Sequence, residues 1–315
     1  MKVLITGSSG SFGSIISKSL ISKGITVVGL DINEPIEHLS GQYFSFYKCS
    51  ITDKECLRSI FNAEKPTHVI HLACSFNKVR NQQREHDIDI GGSRNILETA
   101  DQTPSVKQLM FSSSAAAYGG NSDNPLWIRE EYPLNPGSYR YGSNKMLIEG
   151  IYTGTTVRKD LHIVLVRICV VVGPGFNKRG STVAMLKKWR VLPGFFRETK
   201  VQFLHTNDFI SLINLILNDD HIEGIFNLAP DTYSVVRELV PDKIYLRVPV
   251  FLITAVAYVL WNLRIRNFDP AAMSITIHSI VIDPGKIVSR FNYRFRYSSS
   301  DAFADADIND DLPSR

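Results

Sequence analysis

The chain has 315 residues, 44% of them hydrophobic, so a sizeable core is available and either one large α/β domain or two lobes can form. Its 35 basic and 31 acidic residues leave a net charge of +4, too balanced to argue for a nucleic-acid partner. Cys49, Cys56, Cys74 and Cys169 are scattered and form no Cys-x-x-Cys pair, which argues against a structural metal and for a reduced, cytoplasmic protein with no signal peptide ahead of its first strand.

Lys2–Thr6 is a short apolar run suited to a buried parallel strand. Gly7, Gly10 and Gly13 follow at Gly-x-x-Gly-x-x-Gly spacing. Ile15, Ile16, Leu20 and Ile21 then recur at helical spacing, Gly24 ends the helix, and Thr26–Leu30 is a second strand closed by Asp31. This pattern predicts a βαβ unit with a glycine-rich first turn. Without Cβ atoms such a turn can bring backbone N–H groups against a pyrophosphate, and the helix N-terminus adds partial positive charge there. Asp31 lies about 20 residues beyond the glycines, where a carboxylate accepts hydrogen bonds from both adenosine ribose hydroxyls and repels a 2′-phosphate, so NAD is favoured over NADP.

Beyond Asp31, Tyr43–Lys48 reads as a third strand, and Asp53 caps a helix that reaches about Ala63. Thr67–Leu72 reads as a fourth strand, Asp87–Ala100 as a helix and Val106–Ser112 as a fifth strand. Asn121–Gly137 reads as a loop, Ser138–Arg158 as a helix and Leu161–Ile168 as a sixth strand. Alternating strands and helices imply an α/β fold, a Rossmann-type doubly wound parallel sheet whose ligands bind outside the carboxyl ends of the strands. From Gly173 the regularity weakens. Pro174, Gly175, Pro193 and Gly194 punctuate short elements, as expected of a smaller, mixed α/β C-terminal substrate lobe. Val201–Leu204, the helix Asn207–Leu217 and the strand Gly224–Leu228 return partly to the first lobe. The expected division is residues 1–169 as the dinucleotide-binding domain with return segments near 206–230, residues 170–205 and 231–303 as the substrate lobe, and 304–315 as a disordered acidic tail. The longest apolar stretch, Val248–Leu263, is broken by Pro249, Thr254, Tyr258 and Asn262 and is too short and mixed for a transmembrane segment. Arg247, Arg264 and Arg266 flank it, which leaves room for peripheral membrane contact, although a buried helix of the second lobe is the expectation.

Tyr141-Gly142-Ser143-Asn144-Lys145 places a phenol and an ammonium at i and i+4 on one helix face, and Ser114 lies just past the fifth strand. Moving a hydride to or from a carbinol carbon requires moving a proton at its oxygen. A phenol with its pKa near 10 is a poor base at neutral pH, but a neighbouring ammonium and a positive nicotinamide both favour the phenolate. The lysine can also hold the nicotinamide ribose, and the serine can orient the substrate oxygen.

With these motifs in place, the chain resembles the extended short-chain dehydrogenase/reductase superfamily, in its NAD-dependent epimerase/dehydratase family. The matching stretches are Thr6-Gly7-Ser8-Ser9-Gly10-Ser11-Phe12-Gly13, His71-Leu72-Ala73, Phe111 through Gly119, Tyr141 through Lys145, Arg167 through Gly175, His205-Thr206-Asn207-Asp208 and Phe226-Asn227-Leu228. They fall in the family's order over roughly residues 1–230, with weaker similarity through Ile282-Asp283-Pro284 and Tyr297–Phe303. The resemblance implies that Gly7, Gly10, Phe12 and Gly13 cradle the pyrophosphate. It implies that Asp31, with Ile32 and Asn33 beside it, holds the adenosine ribose, that Ser50 and Ile51 flank the adenine, and that Leu72 and Ala73 line the cofactor channel. Ser114, Tyr141 and Lys145 would be the catalytic set, whereas His205 and Asp208 look structural. No catalytic metal is implied. A homodimer formed through the helices carrying Asp87–Ala100 and Tyr141–Lys145 is expected by the same analogy.

Departures from the family pattern narrow the chemistry. Ser50 stands where the family often has Asp, and Asp89 where it often has Asn. Ala115 and Ala116 replace the Asp-Glu pair of sugar-nucleotide 4,6-dehydratases, and alanine has no proton to give a leaving hydroxyl. Val170, Val201 and the Ala271-Ala272-Met273-Ser274 stretch stand where UDP-sugar 4-epimerases carry phosphate-binding Asn and Arg groups; Lys178, Arg179 and Arg197 are candidate substitutes. The leading expectation is sugar-nucleotide epimerase-type hydride chemistry. A substrate lobe with Phe195, Phe196, Val248–Leu263 and Trp261 also suits an apolar alcohol or ketone, as in hydroxysteroid-dehydrogenase-like enzymes. A non-catalytic NAD-binding protein is a third reading, and the retained Ser114, Tyr141 and Lys145 argue against it.

Overall fold

Buried on both faces, Val3, Leu4 and Ile5 place β1 (Lys2–Thr6) in the middle of a seven-stranded sheet. The computed structural model describes residues 1–35, 41–75, 81–174, 176, 182–265 and 269–306. Gly175, Lys178, Arg179 and Arg266, and positions 307–315 of the expected tail, lie outside the described residues. The other strands of the sheet are β2 (Thr26–Asp31), β3 (Phe44–Lys48), β4 (His68–His71), β5 (Gln108–Ser114), β6 (His162–Ile168) and Gly224–Leu228. Their order is Gly224–Leu228, β6, β5, β4, β1, β2, β3. β1 pairs in parallel with both β2 and β4, so the strand order reverses direction there. A ligand crevice forms above such a reversal, outside the carboxyl ends of the two strands flanking it.

The helices are α1 (Ser11–Ser22), α2 (Lys54–Glu64), α3 (Gln82–His86), α4 (Gly92–Asp101) and α5 (Arg140–Gly154). On one face of the sheet, Leu57 and Phe61 of α2, Ile96 and Leu97 of α4, and Ile148 and Tyr152 of α5 pack on Leu4, Val28, Leu109 and Leu165. Burying a side chain of this size contributes about 1.5–3 kcal/mol, so this cluster dominates the local energetics. Asp53 caps α2 as expected, accepting from the Cys56 N–H at 3.0 Å. The helix expected over Asp87–Ala100 begins earlier, at Gln82. It runs through a π-turn at Asp87–Gly91 before continuing as α4, a distortion that often marks a functional segment. α5 is shorter than expected, because Arg158 leaves the helical path and donates to the carbonyls of Ala100, Asp101 and Val106.

Two compact units emerge: residues 1–113, 144–167 and 210–226 form one, and residues 114–143, 168–209 and 227–315 the other. The second unit holds an apolar cluster of Leu186, Leu192, Phe196, Phe203, Val236 and Phe303, and another around Tyr118, Ile128 and Ile282. The Val201–Leu204 stretch belongs to two short strands. Lys200–Val201 pairs with Ser234–Val235 and Phe203–His205 pairs with Val170–Val172. Between them the buried Gln202 side chain donates to the carbonyls of Pro230 and Ile282 and accepts from the Ile282 N–H, and these bonds hold the switch of partner.

Three further expectations are corrected. Cys49, at the exit of β3, and Cys56, in the first turn of α2, are disulfide-bonded with Cα atoms 6.4 Å apart; the turn closed by Asp53 N–H on the Ser50 carbonyl folds the intervening residues back, which sequence spacing did not reveal. The helix Val250–Asn262 has no buried residue, so it is not a core helix of the second lobe. At the start of the expected tail, Ala304 ends the helix Ser299–Ala304, and Ala306 is buried with its carbonyl accepting from Lys187 Nζ. No described helix is long and apolar enough to cross a membrane.

Candidate active site

The glycine turn after β1 is built tightly. Gly7 has φ +72°, and a Cβ there would lie 2.8 Å from the Ala73 backbone nitrogen. At Gly13 a Cβ would sit 2.3 Å from the Gly7 carbonyl oxygen. Both are therefore glycine for the sake of the fold: one lets the β1 exit touch the β4 exit, the other lets α1 approach its own entry loop. Gly10 differs. It is the N-cap of α1, supplies no side-chain acceptor, and its Cβ would meet only the Gly7 carbonyl at 3.2 Å. Packing alone does not demand glycine there, whereas a diphosphate approaching the helix N-terminus does. Phe12 and Gly13 follow in the first turn of the same helix.

Asp31 closes β2 with its carboxylate turned back on this loop. One oxygen accepts from the Ser9 N–H at 3.1 Å and the other from the Asn33 N–H at 3.0 Å. Each carboxylate oxygen retains a second lone pair for a ribose hydroxyl. Ile32 is 61% exposed and Asn33 is exposed beside it, so the rim of this site is open. Ser50 Oγ lies 2.8 Å from Thr52 Oγ1 and accepts from the Thr52 N–H. The Ile51 side chain is committed to the core, close enough that a Cβ on Gly92 would meet it at 2.5 Å, and its carbonyl accepts from Asn95 Nδ2 at 3.1 Å. Only the backbone of Ile51 is thus available to flank a base.

Leu72 and Ala73 follow β4, both half-buried. Thr6 holds them: its carbonyl accepts from Leu72 N–H and its hydroxyl from Ala73 N–H. The same hydroxyl lies 2.7 Å from His71 Nδ1, and His71 Nε2 lies 2.9 Å from Ser93 Oγ. Complete burial and then the nearby Lys145 charge push the His71 imidazole down to about 3, so it sits neutral between two hydroxyls.

Lys145, on α5, is buried. Its Nζ donates to the Ser112 carbonyl at 2.6 Å and lies 4.6 Å from the centre of the Phe111 ring. Next to it Asn144 donates to Asp89 at 3.0 Å and to Glu85 at 3.2 Å, while Asp89 also accepts from the N–H and hydroxyl of Ser75. Asp89 therefore does have a supporting role, tying the π-turn to α5. One turn further on, Glu149 pairs with Arg167 at 2.7 Å and accepts from Ser113 Oγ, with both charged side chains 4% exposed. Sequence reasoning missed Thr6, Asn95, Asn144 and Glu149 in these roles. Thr6 and Asn144 carried a signal, through their places inside the Thr6–Gly13 stretch and the Tyr-x-x-x-Lys pattern.

In the second unit, Ser114 ends β5 and caps the short 3-10 turn Ala115–Tyr118, accepting from the Ala116 N–H at 3.2 Å. Tyr141, in the first turn of α5, is half-buried and packs with Ala116, Tyr139 and Ala272. Gly142 makes that packing feasible, because a Cβ there would lie 2.5 Å from the Ala116 carbonyl oxygen. The start of α5 is thus pressed on the turn that Ser114 caps. His205 and Asp208 are held structurally. The His205 ring stacks on Tyr297 with centroids 3.6 Å apart and contacts Asp305, and Asp208 accepts from Tyr293 and from the backbone of Arg296 and Tyr297. Asn227 accepts from Tyr118 and donates to the carbonyls of Ile128 and Asp283, which accounts for the Phe226-Asn227-Leu228 and Ile282-Asp283-Pro284 stretches as a structural clasp. Arg197 is exposed beside Glu198.

Comparison with known proteins follows the same line. The model of the NAD dependent epimerase/dehydratase family matches residues 3–229. A UDP-glucose 4-epimerase of Erwinia amylovora is 32% identical over 163 residues, 48% of this chain and 47% of that protein. An uncharacterized protein, y4nG, of Sinorhizobium fredii is 27% identical over 245 residues, 75% of this chain and 58% of that protein. The chain thus spans about half the length of the curated relatives it matches. Among solved structures, the Bordetella bronchiseptica enzyme WbmG in complex with NAD superposes with a TM-score of 0.76 at 20% identity, covering 97% of this chain and 92% of that one. The UDP-glucose 4-epimerase of Thermotoga maritima with UDP-glucose gives 0.75 at 22% identity, covering 97% of both.

Proposed function

The chain belongs to the NAD-dependent epimerase/dehydratase family, and from that footing we propose that it carries out sugar-nucleotide epimerase-type chemistry with Tyr141 as the acid/base. The observation that carries the reading is the seating of α5: Gly142 presses its first turn on the turn capped by Ser114, and Lys145 is pinned one helical turn later to the Ser112 carbonyl. The residues fit the dinucleotide. Gly7, Gly10, Phe12 and Gly13 would hold the diphosphate, Asp31 the adenosine ribose, Ser50 and the Ile51 backbone the adenine edge, and Leu72 and Ala73 the channel wall. When bound, NAD supplies a hydride acceptor that can also return the hydride. Tyr141 takes the proton from the carbinol oxygen and gives it back. Ser114 Oγ orients that oxygen, and the Lys145 ammonium favours the phenolate and holds the nicotinamide ribose. The UDP-glucose 4-epimerase relatives support a sugar nucleotide as substrate. Ala115 and Ala116 supply no acid for 4,6-dehydration.

A second reading draws on Val170 and Val201, which replace phosphate-binding groups and leave a diphosphate poorly matched. It assigns net oxidation or reduction of an apolar alcohol or ketone. The protein purified without added cofactor, denatured and analysed for released dinucleotide, then offered a panel of UDP- and GDP-sugars, tests both. Near-stoichiometric NAD and epimerised product are expected. A site that takes NAD weakly and yields NADH from apolar alcohols, with no epimer from any sugar nucleotide, would overturn the first reading.

A further inference from the structure

The helix Val250–Asn262 contains no charged residue and no buried one. It rests on the turn Pro270–Ala272, with Ile253, Thr254, Ala257, Leu260 and Trp261 half-buried on one side and the opposite side exposed. Phe251 is 69% exposed, Val256 57%, Val259 55% and Leu263 64%, and these positions share one side of the helix with Leu252. The approach to the helix continues the apolar surface. Ile244–Leu246 pairs with Val191–Pro193, exposing Ile244, Leu246 and Val191, with Trp189 beside them. Thr254 is neutralised within the helix by donating to the Val250 carbonyl at 3.0 Å. Contiguous apolar exposure of this kind marks an interaction surface.

Charge around the patch identifies what it meets. Arg247 and Arg264 bracket the helix, both exposed, and Lys188 and Arg190 are exposed beside Trp189, with Lys243 close by; Asp242 is the acid in this stretch. We propose that this face docks on a lipid bilayer rich in anionic headgroups, with the helix lying in the interface plane. At 13 residues the helix is about 20 Å long, shorter than the hydrocarbon thickness, so it lies on the membrane and does not cross it. The apolar side enters the headgroup–acyl boundary while the basic rim meets anionic phosphates. Tyr258, 47% exposed on the same side, supplies a ring with an apolar body and a polar tip, suited to that depth. This proposal stands independently of the reaction the enzyme performs.

Co-sedimentation of the full chain with vesicles of phosphatidylcholine, with and without phosphatidylglycerol, tests it. Binding to the phosphatidylglycerol vesicles is expected, weakening as salt is raised. The double variant Phe251→Glu/Val256→Glu loses at least about tenfold of that binding, and Arg247→Ala/Arg264→Ala loses about fivefold per arginine, since each basic residue near an anionic surface contributes on that order. Quenching of tryptophan fluorescence by lipids brominated along the acyl chain gives a second readout on the unaltered protein. Absence of both sedimentation and quenching overturns the proposal. So does undiminished binding by the Phe251→Glu/Val256→Glu variant with its thermal transition intact, or self-association that this variant dissolves in a protein that ignores vesicles.

Discussion

Single side chains decide the chemistry. Tyr141→Phe removes the hydroxyl proposed to transfer the proton while leaving the ring in its cluster with Ala116 and Tyr139. Turnover is expected to fall about 10²–10⁴-fold with NAD affinity unchanged, checked by steady-state rates alongside calorimetric titration. We propose that Asp31 separates two dinucleotides by charge. NAD is expected to raise the melting temperature and NADP to leave it nearly unmoved, and Asp31→Ala should shrink the gap between them. His71 sets a pH limit. It is neutral in the fold, with its imidazole at about 3 against an ordinary value of 6.5, so the unfolded chain binds the extra proton between those values. The contribution is present in full above 6.5 and is lost as pH falls toward 3, by about 1.4 kcal/mol per pH unit. Urea midpoints measured across that range should fall on acidification, and His71→Gln should flatten the profile.

At the scale of elements, α5 is the part on which the proposed catalytic set depends. Its beginning is placed by Gly142, its middle by the Lys145 contact with Ser112, and its end by Glu149, which pairs with Arg167 of β6 and accepts from Ser113 of β5. Two buried charges that satisfy each other contribute little net stability, but stripping one partner leaves the other unpaired in the core. Arg167→Met should therefore cost about 3–5 kcal/mol in a denaturant titration. The double change Arg167→Met/Glu149→Leu should recover much of that loss, an outcome that a simple cavity at Arg167 would not produce. The π-turn at Asp87–Gly91 belongs to the same assembly, because it carries Asp89 to the Asn144 amide and to Ser75.

For the whole molecule, the outer face of α5 carries Leu147, 47% exposed, on the helix that the family analogy assigns to subunit pairing. We propose that the chain pairs there. Light scattering should report a dimer and Leu147→Glu a monomer, with the vesicle binding of the Val250–Asn262 face retained. A monomer for the unaltered chain would remove the analogy.

The local signals were strong where chemistry is written along the chain. Consecutive Val, Ile and Leu residues imply strands covered on both faces, three glycines at fixed spacing imply a tight strand-to-helix turn, and Asp53 ahead of an apolar period implies a cap. These sufficed for the α/β order, the Gly224–Leu228 strand and the tight glycine turn after β1, because each depends on neighbours within a few positions. Other features depend on groups far apart in sequence, and only packing could reveal them. Gln202 clasps Ile282 between two short strands and Glu149 of α5 finds Arg167 of β6; even Cys49 and Cys56, seven residues apart, meet only because the intervening turn folds back. The helix Val250–Asn262 shows the limit most plainly: its composition is that of a core helix, and its exposure follows from the absence of any described element over its outer side, a property of the assembled fold and not of its thirteen residues.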